Sequence, residues 1–133
     1  MDWDYPAPFS RDRLIATTDI DGLGHANNTC YVIWCEEVSW QHSAELGLDV
    51  SDYRRLNRGM AIHRAQYDYF LPGFEGDPIA IGTWLTWSDG RLRLQRQFQV
   101  RHRDSGATLM RGRWLLVCVN LETGKASRFP TPF

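Results

Sequence analysis

The 133-residue chain has few cysteines and no excess of charge of either sign. Its cysteines, Cys30, Cys35 and Cys118, form no CxxC pair, and no histidine follows at a metal-ligand spacing. They are therefore expected to be reduced residues of a cytoplasmic protein. Fifteen basic and sixteen acidic residues give a formal net charge of −1, which offers no electrostatic attraction to nucleic acid or to an anionic membrane surface.

Several kinds of segment are also missing. No apolar run approaches the roughly 20 residues of a membrane span, and the acidic N-terminal stretch lacks the apolar core of a signal peptide. The sequence has neither the GxSxG motif of α/β hydrolases nor a GxGxxG dinucleotide loop. No cluster of His, Cys and Asp indicates a metal site, so no metal and no separate cofactor are predicted.

Aromatic residues, by contrast, are plentiful. Six Trp, five Tyr and six Phe make up 13% of the chain. A well-packed core would use them, and so would an extended apolar interface or an acyl pocket, and these interpretations are compatible. Trp84, Trp87 and Trp114 stand in predicted strands, where they could line a pocket for an aryl or a fatty acyl group.

The periodicity predicts one long helix. A short strand over 11–17 and a turn-rich loop over 18–28 precede it. Asn27 or Asn28 can cap its first turn, and Gly47 is placed to end it. Apolar residues recur between them at helical spacing, namely Tyr31, Trp34, Cys35, Val38 and Leu46.

Four strands are predicted after the helix and a short irregular stretch, over 60–70, 79–87, 91–103 and 108–120. The third alternates, with one face formed by Leu92, Leu94, Phe98 and Val100. The other face carries Arg91, Arg93, Gln95, Gln97, Gln99, Arg101 and Arg103, and we expect it to be a solvated sheet face. The tight Asp-x-Gly turns indicate an antiparallel meander.

These elements predict a single two-layer α+β domain over 1–133, in which one long helix packs on a curved antiparallel sheet of about five strands. Such a sheet leaves edges and part of a face uncovered. Self-association as a homodimer or homotetramer is therefore expected.

The stretch from Asp19 to Glu37 carries the chemically informative residues. A carboxylate, an imidazole and two carboxamides stand within eight positions, just before the helix: Asp21, His25, Asn27 and Asn28. The free N–H groups at a helix N-terminus can stabilise an oxyanion, and a nearby carboxylate can activate water or attack directly. The same residue types are equally common as simple turn and cap residues.

The stretch resembles the signature of hotdog-fold thioesterases of the 4-hydroxybenzoyl-CoA type and their bacterial acyl-CoA relatives. The matching positions are Asp21, Gly24, His25, Asn27, Asn28, Tyr31 and Trp34, followed by acidic residues at Glu36 and Glu37. The segment 70–77 also resembles the strand end and Gly-Asp turn of these families. The motif is similar as well to that of plant acyl-ACP thioesterases, but Leu23 replaces one of its Asn residues, which favours the bacterial mechanism.

The resemblance implies a hotdog fold and hydrolysis of an acyl-CoA thioester. It makes Asp21 the general base or nucleophile and assigns the oxyanion donor to the backbone N–H near Asn28. It also implies that His25 and Asn27 position the loop or the thioester. The substrate-binding residues expected with them are Gly24, Tyr31, Glu36 and, where arginines of the third strand meet the phosphates of coenzyme A, Arg91 and Arg93.

Two rival functions stay open at this point. A hydratase or dehydratase of acyl thioesters can share the fold, but it needs a His–Asp or His–Glu pair at its cleft. A non-catalytic acyl-thioester-binding module would not need Asp21. The acyl specificity, and the choice between coenzyme A and acyl carrier protein, cannot be read from the residues.

Overall fold

A computed structural model describes residues 3–130, so the two ends of the predicted domain, 1–2 and 131–133, lie outside the described residues. The elements in chain order are β1 (Phe9–Leu14), a one-turn 3-10 helix (Thr17–Asp19), α1 (Asn28–Glu45), α2 (Val50–Leu56), β2 (Arg58–Tyr69), β3 (Pro78–Ser88), β4 (Arg93–His102) and β5 (Thr108–Asn120). The prediction of one long helix on five antiparallel strands is confirmed. The first strand begins two residues earlier and ends three residues earlier than predicted, and α2 replaces an irregular stretch.

The five strands form one antiparallel sheet in the order β1-β3-β4-β5-β2. Hairpins join β3 to β4 and β4 to β5, as the tight turns predicted. Strand β2 instead crosses to the far edge, where it pairs along its whole length with β5. Its residues 61–66 are exposed, so β2 offers a long free edge.

Helix α1 begins where its cap was predicted. The Asn27 side chain accepts a hydrogen bond from the Thr29 N–H at 2.9 Å and so binds one of the donors that the first turn leaves free. The helix places Tyr31, Trp34, Cys35 and Val38 in the core. They pack there against a sheet face formed by Ile79, Ile81, Phe98, Val100, Met110, Trp114 and Leu116.

Helix α2 was not predicted because it is short and polar. Its seven residues contain no fully buried side chain, and its three apolar residues, Val50, Tyr53 and Leu56, are too few to establish a helical period. A capping box holds it instead: Asp49 accepts from the Asp52 N–H at 3.0 Å, and Asp52 accepts from the Asp49 N–H at 2.9 Å. Asn57 closes it in the left-handed conformation and leads directly into β2.

The polar face of β4 is only in part the solvated face that alternation predicts, because it is exposed at Arg93 but covered toward the other end of the strand. Residues 3–6 lie across it as an N-terminal segment, and beneath them Gln99 is 0% and Arg101 7% exposed. The Asp4 N–H donates to the Gln99 side chain at 2.8 Å, and the Arg101 guanidinium lies over the Trp3 ring. The outer face of the sheet is therefore a second, smaller packed layer.

Candidate active site

The loop before α1 is a tight closed turn. The Asp21 N–H donates to the His25 carbonyl at 3.0 Å, and the Gly24 N–H donates to the Asp21 carbonyl at 3.1 Å. Gly24 has a φ of +86°, a left-handed conformation that glycine adopts without steric cost. The Asp21 carboxylate accepts from the Leu23 N–H at 2.9 Å. The turn thus holds a half-buried carboxylate in a fixed orientation, with one oxygen bonded and the other unused by these contacts.

Two backbone hydrogen bonds fix this turn to the rest of the fold. The Ala26 N–H donates to the Gly73 carbonyl at 2.8 Å, and the Asn27 N–H donates to the Asp19 carbonyl at 2.9 Å. The Asp19 side chain is buried and accepts from the Ala16 N–H at 2.8 Å. Asp19 is therefore a structural carboxylate, in contrast to Asp21 two residues later.

The first turn of α1 follows directly. The N–H of Asn28, the first residue of the helix, has no hydrogen-bond acceptor within residues 3–130, and the Asn27 side chain accepts from the Thr29 N–H instead. The Asn28 carbonyl accepts from the Tyr69 hydroxyl at 3.1 Å, which fastens the helix start to the end of β2. A free N–H at a helix N-terminus, where the macrodipole is positive, can stabilise developing negative charge.

Two of the predicted site residues have aromatic contacts. The rings of His25 and Phe74 are nearly perpendicular, with their centroids 5.9 Å apart. Tyr31 is only 2% exposed and lies beneath Gly73, and desolvation by burial raises the pKa of its hydroxyl to about 12. Tyr31 therefore supports the site from inside the core.

Glu36 lies two turns further along α1, at one side of a cavity of about 600 Å³. The cavity lies between α1, α2 and the end of the sheet where β2 begins and β5 finishes. Its apolar wall includes Trp40, Leu46, Met60, Ile62, Trp114 and Leu116. Of the three strand tryptophans considered for a pocket, Trp114 lines this cavity, whereas Trp84 packs under the N-terminal segment and Trp87 is exposed.

Arg91 and Arg93 are exposed at the β3–β4 hairpin, and Arg93 lies 3.5 Å from the Asp89 carboxylate. The Asp21 turn lies at the opposite end of β3, since the Ala26 N–H at its end donates to the carbonyl of Gly73, which precedes that strand. Strand β3 spans about 33 Å at its ordinary rise per residue. Within one subunit, the two arginines and Asp21 are therefore not brought together.

Arg96 is a cavity residue that was not predicted. It is 5% exposed and donates to His42 Nδ1 at 2.9 Å and to the Thr83 hydroxyl at 3.1 Å. The signal for it was present, because alternation puts position 96 on the same face as Leu94 and Phe98. An arginine in a run of alternating polar residues nevertheless favours the solvated face, since Arg is rarely buried without a partner.

A family model described as the thioesterase-like superfamily matches residues 15–133. The chain belongs to this superfamily. The prediction of a hotdog-fold thioesterase is thereby confirmed, as is that of a thioester hydrolase. No curated protein sequence matches the chain significantly.

Solved structures agree on the fold. A 1,4-dihydroxy-2-naphthoyl-CoA thioesterase from Synechocystis superposes with a TM-score of 0.83 at 20% identity, covering 95% of this chain and 92% of that one. A DHNA-CoA thioesterase from Staphylococcus aureus gives 0.82 at 18% identity, covering 93% and 82%. A second S. aureus protein, determined in complex with CoA, gives 0.86 at 17% identity, covering 93% and 77%.

Residues 3–130 contain no group of three or more His, Cys, Asp and Glu side chains arranged to hold a metal ion. No helix in that range is long and apolar enough to cross a membrane.

Proposed function

We propose that the protein hydrolyses an acyl-CoA thioester to the free acid and coenzyme A, with Asp21 as general base or nucleophile. The observation that carries this proposal is the closed turn that fixes the Asp21 carboxylate just ahead of the α1 N-terminus. Water or the thioester carbonyl would meet the carboxylate oxygen that the Leu23 N–H does not occupy. Solved structures with this fold include two CoA thioesterases and a protein in complex with CoA, which supports CoA as the thiol carrier.

In this proposal the Asn28 N–H is the oxyanion donor. Attack on a thioester carbonyl moves negative charge onto its oxygen, and a preorganised donor at a helix start stabilises that charge. Asn27 positions the donor by capping the helix. Gly24 closes the turn, and His25, packed against Phe74, holds its far side.

Tyr31 and Glu36 keep supporting roles in the proposal. The Tyr31 ring is buried and does not contact the substrate itself. It supports the backbone that would contact the substrate. Glu36 is exposed and borders the cavity, so it would meet an acyl group that runs from the helix start along α1.

We further propose a homodimer formed through β2. The strand has 12 residues and a free edge, and pairing with its own copy about a twofold axis would satisfy the unpaired backbone groups. Antiparallel pairing would bring the start of β2 in one subunit beside its end in the other. The Asp21 turn of one subunit would then adjoin the cavity of its partner. Contact of Arg91 and Arg93 with the phosphates of coenzyme A depends on this assembly.

The three cysteines of the described region are free, which supports a reducing compartment such as the cytoplasm. Coenzyme A takes part as a portion of the substrate and not as a resident cofactor.

A thiol-release assay with short, long and aromatic acyl-CoAs tests the proposed reaction. Asp21→Asn should lower kcat by about 10²–10⁴, the usual range for a lost general base, which is roughly 3–5 kcal/mol of transition-state stabilisation. Melting temperature should change little, because the amide oxygen can still accept from Leu23. A hydratase would instead form or remove a double bond without releasing thiol.

Asp19→Asn is the matched control. Its amide oxygen can still accept from Ala16, so kcat should stay within a few-fold of the wild type. If Asp21→Asn keeps a third or more of the activity while Asp19→Asn or His25→Ala is inactive, the chemistry lies on another residue. If no acyl-CoA releases thiol, the protein is a binding module.

A further inference from the structure

The cavity beside α1 contains a buried cation. Arg96 is 5% exposed and lines the cavity wall between β4 and α1. Burial lowers the pKa of Arg96 to about 10, so its guanidinium stays protonated at neutral pH. A charged group inside an apolar wall is costly unless an opposite charge or sufficient hydrogen bonds compensate it.

The protein itself compensates this charge only in part. Arginine has donors and no acceptor, so the nitrogen of His42 that receives its N–H must be unprotonated. His42 is thus neutral in this contact, and burial followed by the charge of Arg96 lowers the pKa of His42. The second acceptor, the Thr83 hydroxyl, is neutral as well.

A part of the guanidinium remains without a partner. The Nε of Arg96 is buried and has no hydrogen-bond acceptor within residues 3–130. No ion pair in that range includes Arg96. The ion pairs of other arginines, such as that of Arg13 with Glu37, show that carboxylates are available elsewhere in the fold.

We propose that the acyl group accepted by this cavity carries a carboxylate at its far end, and that Arg96 binds it. This inference rests on the proposed thioesterase function and names its substrate class. Nη1 of Arg96 donates to His42 and Thr83, and Nε is buried inside the wall, so a carboxylate would accept from the second terminal nitrogen, Nη2. It would also supply the negative charge that these two neutral partners do not. The apolar wall accommodates the chain between the thioester and that carboxylate.

Within one subunit, the path from the Asp21 turn to Arg96 requires a long acyl chain. From Asn28 to Glu36, α1 rises about 12 Å, and from Glu36 to His42 a further 9 Å or so. An acyl group that is short cannot extend from the helix start to Arg96 within one subunit. In the proposed homodimer the Asp21 turn adjoins the cavity of the partner subunit, so a shorter chain would reach an Arg96, and the length at which the preference begins distinguishes the two routes. A series from about six to about sixteen carbons covers these spans at roughly 1.3 Å per methylene.

The experiment compares acyl-CoAs of equal length with and without a terminal carboxylate. Once the acyl chain is long enough to reach Arg96, the wild type should prefer the carboxylated member of each pair by about 10- to 100-fold in kcat/KM. This is the contribution expected from a charge-assisted hydrogen bond. Below that length the two members should be hydrolysed alike. Arg96→Met should abolish the preference, and Arg96→Lys should keep part of it.

Arg113→Gln is the matched control, because this exposed arginine contacts Gln66 away from the cavity. The inference is overturned if the wild type shows no preference at any length, or if Arg96→Met retains it. If Arg96→Met does not fold, the inference is tested by the wild-type comparison of carboxylated and uncarboxylated acyl-CoAs. Should no acyl-CoA be hydrolysed, the proposed function fails, and tryptophan fluorescence titration with the same pairs still tests for tighter binding of the carboxylated members.

Discussion

Replacing Gly73 with alanine should lower both the stability of the protein and its rate of thioester hydrolysis. A Cβ at this position would lie 2.6 Å from the Ile15 Cδ1 and 2.9 Å from the Tyr31 hydroxyl oxygen. Both neighbours are core residues, at 1% and 2% exposure, and cannot move into solvent. Overpacking of this kind costs about 1–3 kcal/mol, which corresponds to a fall in Tm of roughly 5–10 °C for a domain of this size.

The effect on activity follows from the Gly73 carbonyl. It accepts the Ala26 N–H at 2.8 Å, so a shift of Gly73 displaces the turn that carries Asp21. In the proposed mechanism Asp21 is a reacting group, and a displacement of about 1 Å at such a group can lower the rate by about 100-fold. Gly73→Ala should therefore lower both the Tm in thermal denaturation and the rate of thiol release, measured on the same preparations.

Two further variants test whether the clash at Gly73 causes these losses. Ile15→Val removes the closest methyl group, so the double variant with Gly73→Ala should be more stable than the sum of the single effects. Gly22→Ala should leave Tm unchanged within a degree or two, because no atom lies within 4 Å of its Cβ. If Gly73→Ala lowers Tm but leaves kcat/KM intact, Gly73 does not position the turn of Asp21.

Three other outcomes are expected. Light scattering should find a dimer or a dimer of dimers, and a fully active monomer would contradict assembly through β2. Arg91→Ala or Arg93→Ala should raise KM for acyl-CoA more than it lowers kcat, because phosphate contacts bind ground and transition states alike; an equal loss with short pantetheine thioesters would contradict contact with the nucleotide. Asn27→Ala removes the cap that Thr29 uses and should cost about 1 kcal/mol in chemical denaturation; an unchanged midpoint would show that the helix start is held by other contacts.

The fold could be predicted because its signals are local. Helix α1 has an Asn cap, buried residues at helical spacing and Gly47 at its end, where φ is +87°. The hairpins carry their own turn residues. The order of one helix followed by a meander then leaves few arrangements in which the apolar faces meet.

The cavity could not be predicted, because it depends on contacts between distant residues. Arg96 meets His42 across 54 positions of sequence, and its own neighbours in β4 indicate only which face it occupies. Helix α2, which forms one wall, is only seven residues long, so its apolar residues are too few to predict a helix. The motif, in contrast, predicts that the Asp21 turn lies directly before α1.

The N-terminal segment has a consequence for the order of folding. Residue 4 is synthesised well before its partners Gln99 and Arg111, which lie 95 and 107 positions later. Closing such long loops is entropically costly, and the surface that receives the segment exists only once β3, β4 and β5 have paired. Residues 3–6 are therefore expected to be among the last to find their native contacts, and hydrogen exchange should detect their release before the sheet opens.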